Sequence, residues 1–494
     1  MTDRWAVVVA VAAASGAVAG VAFNGWVVVL AVGVALLSWR PAAFGIAVLV
    51  VCSTMAARAE AGLEPPDRHR VEGWMTMLND PRASAGGATM VELRVGSRRV
   101  QGWARGSAAS ALRSRLAGEQ IRVSGTVGPL APSARERLRW RHVSARMTID
   151  SIDGHRSGGA VARVANSFRR TFVSGARSLD RSQRSLLAGF VMGDDRDQPA
   201  RLADDFRAAG LTHLLAVSGQ NVAFLLLIAG PFIRRAGPAG KVVIVGGLLI
   251  LFGTVTRWEP SVIRAVAMTT TALTATWRGR LAGSLRSLAV AVIGLLLIDP
   301  LLVHSVGFVL SVGACIGIAT LSGPIARLLP GPRWLVLPAA VTLAAQAGVS
   351  PVLIPVFGGV PVASLPANLL AAPAAGPVMV WGLVGGLLAG LLGPPFDGLI
   401  HVPTSMLLSW VQVVARVCGT GRLGEIGFAH LFGLTVGFVL IALRPRARLL
   451  GALLIVVVLL LPALRWWVPT DLVGTEASRD VVVWREGAAT VVLF

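Results

Sequence analysis

Two kinds of patterning divide the chain. It opens with MTDRW and an alanine-rich apolar stretch through Val21, followed directly by a second apolar run, Trp26 to Leu37, and a third, Ala42 to Met55. Residues 1–56 therefore read as three membrane-anchoring helices and not as a removable signal. Residues 57–160 change character. Short runs of β type, Thr89 to Val95, Arg99 to Ala104, Gln120 to Val127 and His142 to Ile149, are separated by turn signals such as Gly96-Ser97 and Gly118, which predicts a small barrel or sandwich. In residues 161–210, Phe172, Leu179, Leu186 and Leu187 recur at near-helical spacing among arginines, predicting amphipathic helices along the outer membrane surface. Asp194, Asp195 and Asp197 precede Pro199 and an alanine-rich helix, and read as capping residues in preference to a cation site.

Residues 211–466 are membrane in character. Apolar stretches run from Leu211 to Ile233, Val242 to Thr256, Val262 to Trp277, Leu288 to Ile298, Val306 to Leu321, Leu335 to Val356, Val362 to Leu392, Val402 to Val417, Leu431 to Leu443 and Leu449 to Leu464. With Gly210 outside, every second loop is rich in positive charge: Arg234, Arg235 and Lys241, then Arg278, Arg280 and Arg286, then Arg327 and Arg333, and finally Arg444, Arg446 and Arg448. That alternation is the one expected of a polytopic protein whose basic loops are cytoplasmic. Asp397, in a loop that the same count makes cytoplasmic, is its weak point. Residues 467–494 then form an external tail.

Composition agrees with this reading. Of 494 residues 54% are hydrophobic and 14% charged, well below the quarter or so of a soluble globular protein. The formal net charge of +21 is almost wholly arginine, Lys241 being the single lysine. Such a surplus fits a polyanionic partner, nucleic acid or anionic membrane lipid, and equally fits loops that serve to orient the chain. Much of it falls in 57–160, where Arg94, Arg98, Arg99, Arg122, Arg139 and Arg141 accompany Trp103 and Trp140. Guanidinium groups beside aromatic faces are what a surface tracking single-stranded DNA offers, although arginine-rich strands also serve as solvated faces. Cys52, Cys315 and Cys418 have no CxxC spacing, and neither disulfides nor a cysteine metal site is expected.

Polar residues inside apolar helices are informative, because a charge at mid-membrane costs about 2.5–3.5 kcal/mol even on the gentler insertion scale. In GLTHLLAVSGQNVAFLL, read as one helix, His213, Gln220 and Asn221 share a face, with Ser218 beside them. Further candidates for a pore or gate are Arg264 and Thr271, His304 and Ser311, and Gln346 and Asn368, which lie before and within the proline-interrupted stretch Pro351 to Pro377. Hydroxyls and amides hold water along a path without trapping a strand. They also glue helices together, and Arg264 has a plain alternative in pairing with Glu259 or reaching the interface.

The run GLTHLLAVSGQNVAFLL, with LLAGFVMGDDRD and LADDFRAAG before it and EPSVIRAVAMTT, DPLLVHSVGFVLSVGACIGI and QAGVSPVLIPVFGGVPVASLPANLLAAP after it, resembles the signature of the ComEC family of competence proteins, inner-membrane channels for DNA uptake. The resemblance spans about Ser182 to Arg444. It implies an α-helical polytopic membrane protein with a small external OB-like β-domain near the N-terminus. At Gln220-Asn221 the family commonly has Leu-His, which puts a protonation role there in doubt. Full-length members also carry a metallo-β-lactamase-like nuclease domain with an HxHxDH ligand set, and nothing comparable is present. DVVVWREGAATVVLF looks like that domain's first hairpin, with Arg485-Glu486-Gly487-Ala488 in place of the family's turn. No catalytic residue, metal or cofactor is assigned. The expected partners are single-stranded DNA, membrane lipid, a separate external receptor or nuclease, and a cytosolic ATP-driven motor, since the chain has no Walker-type GxxxxGK[ST]. A secondary transporter for a small anionic solute is the rival reading.

Overall fold

The computed structural model describes residues 3–38, 40–277, 283–420 and 424–443, with short pieces at 450–451, 453–455, 457–458, 483–486 and 489–492. Among these, six helices are long and apolar enough to cross a membrane: Pro41–Ala61, Pro238–Val255, Val306–Leu328, Arg333–Phe357, Ser364–Leu392 and Phe396–Thr420. Gly25–Ser38 and Ser284–Ile298 are apolar but shorter. At about 1.5 Å per residue they do not span a hydrocarbon core of about 30 Å upright. Asp3–Ala19, Gly219–Arg235, Pro260–Trp277 and Phe428–Leu443 complete the helical body. Arg278, Arg280, Arg444, Arg446, Arg448, most of the stretch 449–464 and residues 467–482 lie outside the described residues.

Most of these helices begin and end within a few residues of the apolar stretches. The stretch Pro351 to Pro377 is interrupted at 358–363, between the two apolar stretches, where Gly358 takes φ 90° and Val360–Pro361 pairs with Glu425–Ile426. The prolines themselves do not break the helices: Arg333–Phe357 and Ser364–Leu392 run through Pro351, Pro355, Pro373 and Pro377. Close packing against neighbours lets a helix tolerate the missing N–H of proline. Helix Val306–Leu328 lies so near Arg333–Phe357 that a Cβ on Gly317 or Gly348 would collide with the facing backbone, the small-residue contact typical of membrane helices.

In 161–210, helices Ala160–Gly175, Arg181–Met192 and Ala200–Ala208 turn apolar residues into the protein, while Val161, Val164 and Val173 on the first of them stay exposed. Phe172, Leu186, Leu187 and Phe206 are fully buried and join the main core of the helical body. Phe172 packs on Gly386 and Leu187 on Gly382, against the glycine-rich half of Ser364–Leu392. Amphipathic periodicity reports an apolar face and does not say whether lipid or protein covers it.

The interval before these helices is a barrel. Its strands are β1 (His69–Met77), β2 (Arg82–Ala83), β3 (Thr89–Val95), β4 (Arg98–Ala104), β5 (Gln120–Pro129) and β6 (Val143–Arg156). They order as β1-β5-β6-β4-β3-β2, and β1 also pairs with β3 through Thr76↔Arg94 and Met77↔Leu93, closing the sheet. β4 and β6 run parallel, the other pairs antiparallel, and helix Gly106–Arg113 sits between β4 and β5. Setting β2 aside, this is the five-stranded Greek-key barrel of the OB type. Met75, Val91, Leu93, Val100, Ile121 and Met147 fill it, each contributing about 1.5–3 kcal/mol by leaving water. The sequence pattern missed β1 because only Met75 and Met77 on it are fully buried. The terminal strands Val483–Glu486 and Ala489–Val492 pair antiparallel, as the hairpin expectation requires.

Candidate nucleic-acid interface and the seam beneath it

Alternation along β3 and β4 sends Val91, Leu93, Val100 and Gly102 inward and leaves the pairs Glu92↔Gln101 and Arg94↔Arg99 on the outer face. Glu92 is nevertheless only 5% exposed. The short helix Arg139–Arg141 folds over this face and Arg141 donates to Glu92 at 2.6 Å. Burial alone would weaken the Arg141 charge, and the Glu92 carboxylate more than restores it. In OB folds the face of these two strands is a usual place for an oligonucleotide. Here it is turned toward the helical body.

The expected DNA-contacting residues consequently split. Arg94, Arg98 and Arg122 are exposed, Arg98 donating to the Glu64 carbonyl and Arg122 pairing with Glu72 at 3.0 Å. Trp103, half-buried, donates to Gln101 and carries the Arg146 guanidinium 5.3 Å from its ring centre. Arg99 donates to the Arg141 carbonyl. Arg139 pairs with Glu60 and Glu136 and donates to His304 Nδ1. Trp140, half-buried, packs against a core of the helical body, has the Arg141 guanidinium 4.8 Å from its ring centre and lines the seam in place of an outer stacking face. A further arginine–tryptophan pair, which the sequence pattern does not single out, stands on the open side: Arg156 lies 3.9 Å from the Trp74 ring, and Trp74 is the cross-strand neighbour of Arg122.

Between barrel and helices lies a cavity of about 300 Å³ lined by six arginines and six carboxylates. Its floor is a buried ion network. Asp80 of the barrel accepts from Arg257 through both oxygens, at 2.7 and 3.0 Å, and lies 3.0 Å from Arg169. Arg169 reaches Asp194 at 2.5 Å and donates to the Val255 carbonyl at 2.8 Å, and Arg196 grips both oxygens of Asp194. Burial on its own would raise both aspartates, but the guanidinium groups win and hold them below the usual carboxylate range. The capping expectation for Asp194 is thus wrong: helix Ala200–Ala208 starts after Pro199 with no side-chain cap, and the carboxylate is spent on two arginines. Arg257 and Trp258 adopt left-handed φ of 60° and 54°, a strained turn that persists because the ion pairs over-determine it. Nothing local announces this network, since residues 80, 169, 194 and 257 are far apart in sequence.

A second cavity, about 580 Å³, opens beside the first and shares Trp140, Glu259 and Pro260 with it. Burial lifts the Glu259 carboxyl above its ordinary range, and Arg141 and Arg82 only partly offset this. Burial and the nearby Arg139 charge both lower the affinity of His304 for a proton. His142 Nε2 meets Asp299 at 3.0 Å across the same seam.

The polar residues of the helical body form two groups. The opening stretch is not one helix: Thr212–Leu214 is a single 3-10 turn, and the helix begins at Gly219 with Ser218 as its cap. His213 therefore does not share a helical face with the two amides. Asn221 is buried and donates to the Phe190 carbonyl at 2.8 Å, whereas Gln220 is exposed. His213 is exposed and lies near Asn368 and the Gly210 backbone. Asn368 donates to the Ser364 carbonyl and Gln346 to the Ser364 hydroxyl. The second group centres on Arg264, which donates to Ser311 at 2.7 Å. Thr271 is turned back to the Met268 and Ser287 carbonyls.

A membrane-embedded helical body joined to an OB barrel through a charged seam is the class of protein these features define. The chain belongs to the competence-protein family: the model of that family, described as "Competence protein", matches residues 190–448, just over half of the chain. It is 26% identical over 340 residues to ComE operon protein 3 of Bacillus subtilis (strain 168), covering 66% of this chain and 43% of that protein. It is 26% identical over 227 residues to the uncharacterized protein YcaI of Escherichia coli (strain K12), covering 42% of this chain and 30% of the other. The chain thus spans less than half the length of these curated relatives. No solved structure matches it. The match supports the ComEC-type resemblance of its motif segments.

Proposed function

We propose that the protein conducts single-stranded DNA across the cytoplasmic membrane during uptake, with the barrel on the outer side. The observation that carries this is the seating of an OB barrel, a nucleic-acid-binding architecture, over a charged seam with a cavity of about 300 Å³ at the ends of membrane helices in a competence-family chain. The barrel touches the 256–260 and 299–305 loops, while Asp3 pairs with Arg286 at the opposite end of helix Ser284–Ile298. The loops at 256–260 and 299–305 are thus on the barrel's side and Arg286 is away from it, which agrees with the positive-inside rule when the barrel is external. Trp74, Arg122 and Arg156 on the open side of the barrel first meet the strand, with the exposed Arg94 and the half-buried Trp103 as further contacts. The seam arginines lie beneath, and Gln220, His213, Asn368 and Gln346 belong to the path or its gate. No hydrolysis is assigned to these residues. The driving force comes from a cytosolic ATP-driven motor, and the strand is delivered by an external DNA receptor or nuclease.

Purified protein in liposomes tests the reading. Salt-dependent binding and passage of single-stranded oligonucleotide support it. Saturable uptake of one small anion with no oligonucleotide passage overturns it in favour of a solute transporter.

A further inference from the structure

Arg264 is 6% exposed on helix Pro260–Trp277, yet among the described residues no carboxylate lies within ion-pair distance of it. Its Nε donates to Ser311 Oγ at 2.7 Å, and Nη1 points at Cys315 Sγ at 3.0 Å and Met268 Sδ at 3.1 Å. These partners are neutral. Among the described residues Nη2 has no hydrogen-bond partner, and it lies against the first residue of helix Gly219–Arg235, so closely that a Cβ on Gly219 would sit 2.8 Å from it. A guanidinium pressed on the positive end of a helix, with nothing negative between or beside them, is electrostatically unfavourable in a poorly hydrated site. A guanidinium beside the N-terminus of a helix is an arrangement that an oxyanion stabilises.

We propose that Arg264 and the N-terminus of helix Gly219–Arg235 form a binding site for one phosphodiester oxyanion, the step at which the helical body selects phosphate-bearing cargo. The site rests on the uptake reading for the source of the phosphodiester and on geometry alone for its preference for anions. Ser311 fixes the fork, Gly219 permits the approach, and the thiol of Cys315 lies beside the guanidinium.

That thiol supplies a test independent of transport. The full chain in nanodiscs is alkylated with iodoacetate or with iodoacetamide, reagents of similar size that differ in charge. The ratio of the two rates at Cys315 is normalised to the ratio at Cys418. The normalised preference for the anionic reagent is expected to exceed that of Arg264→Gln about tenfold, corresponding to about 1.4 kcal/mol, and to be suppressed by inorganic phosphate. Arg264→Gln is expected to leave thermal stability equal or higher, because a buried charge without a counterion is removed. Equal ratios in both proteins, or a Cys315 that neither reagent reaches, overturn the site. A clear anionic preference combined with unchanged oligonucleotide passage per folded molecule in Arg264→Gln leaves a free-phosphate site and overturns the assignment to the strand. If wild-type protein shows the preference but passes no oligonucleotide, the uptake reading fails and the anion site stands.

Discussion

Replacing Arg169 by methionine removes the cation at the centre of the seam. The side chain is 3% exposed, lies 2.5 Å from Asp194 and 3.0 Å from Asp80, and donates to the Val255 carbonyl. After the change Asp80 keeps Arg257 and Asp194 keeps Arg196, each gripped through both oxygens. Breaking a buried pair costs about 3–5 kcal/mol when the partner charge is left uncompensated. Here each carboxylate retains one guanidinium, so the expected loss is about 3 kcal/mol, more than a hundredfold in the unfolding equilibrium. Mixed-micelle denaturation followed by tryptophan fluorescence measures it, and limited proteolysis between barrel and helices reports whether the barrel has come loose. Arg169→Met with Asp194→Asn closes a double-mutant cycle, with a coupling of about 0.5–3 kcal/mol expected for groups in one network. A loss below about 1 kcal/mol with unchanged proteolytic protection would show that the network does not fix the barrel on the helical body.

Three further outcomes are expected. Trp74→Ala with Arg122→Ala lowers affinity for single-stranded oligonucleotide and makes the logarithmic salt dependence shallower by about 0.7, the share of one neutralised phosphate; unchanged affinity, measured by anisotropy from low to high salt, refutes the open-face reading. Glu259 holds its proton more tightly in the folded protein than an ordinary carboxyl does, so its contribution to stability is present at acid pH and is lost as pH rises through its elevated range. Glu259→Gln therefore matches wild type in acid and exceeds it near neutrality, and equal thermal stability at both pH values refutes this. Because Asn221 is bonded to Phe190 while Gln220 is exposed, Asn221→Leu costs about 0.6–2 kcal/mol of stability. Gln220→Leu leaves stability intact and reduces oligonucleotide passage per folded molecule; the reverse pattern rejects the separation of the two amides.

The sequence by itself settled where most helices lie, because apolar length and turn residues are local properties that lipid and protein interiors reward alike. It also determined a small β-domain from short alternating runs, and the ordered motif segments carried the family. What covers each face was decided by tertiary structure. Phe172, Leu186 and Leu187 read as a lipid-facing stripe and are core. Asp194 read as a cap and binds two arginines. Arg99, Trp140 and Arg141 read as an open DNA surface and are folded into a seam. In each case the sequence records that a group needs a partner, apolar or charged. Which partner it finds depends on contacts between residues such as Asp80 and Arg257, whose separation along the chain leaves no local trace.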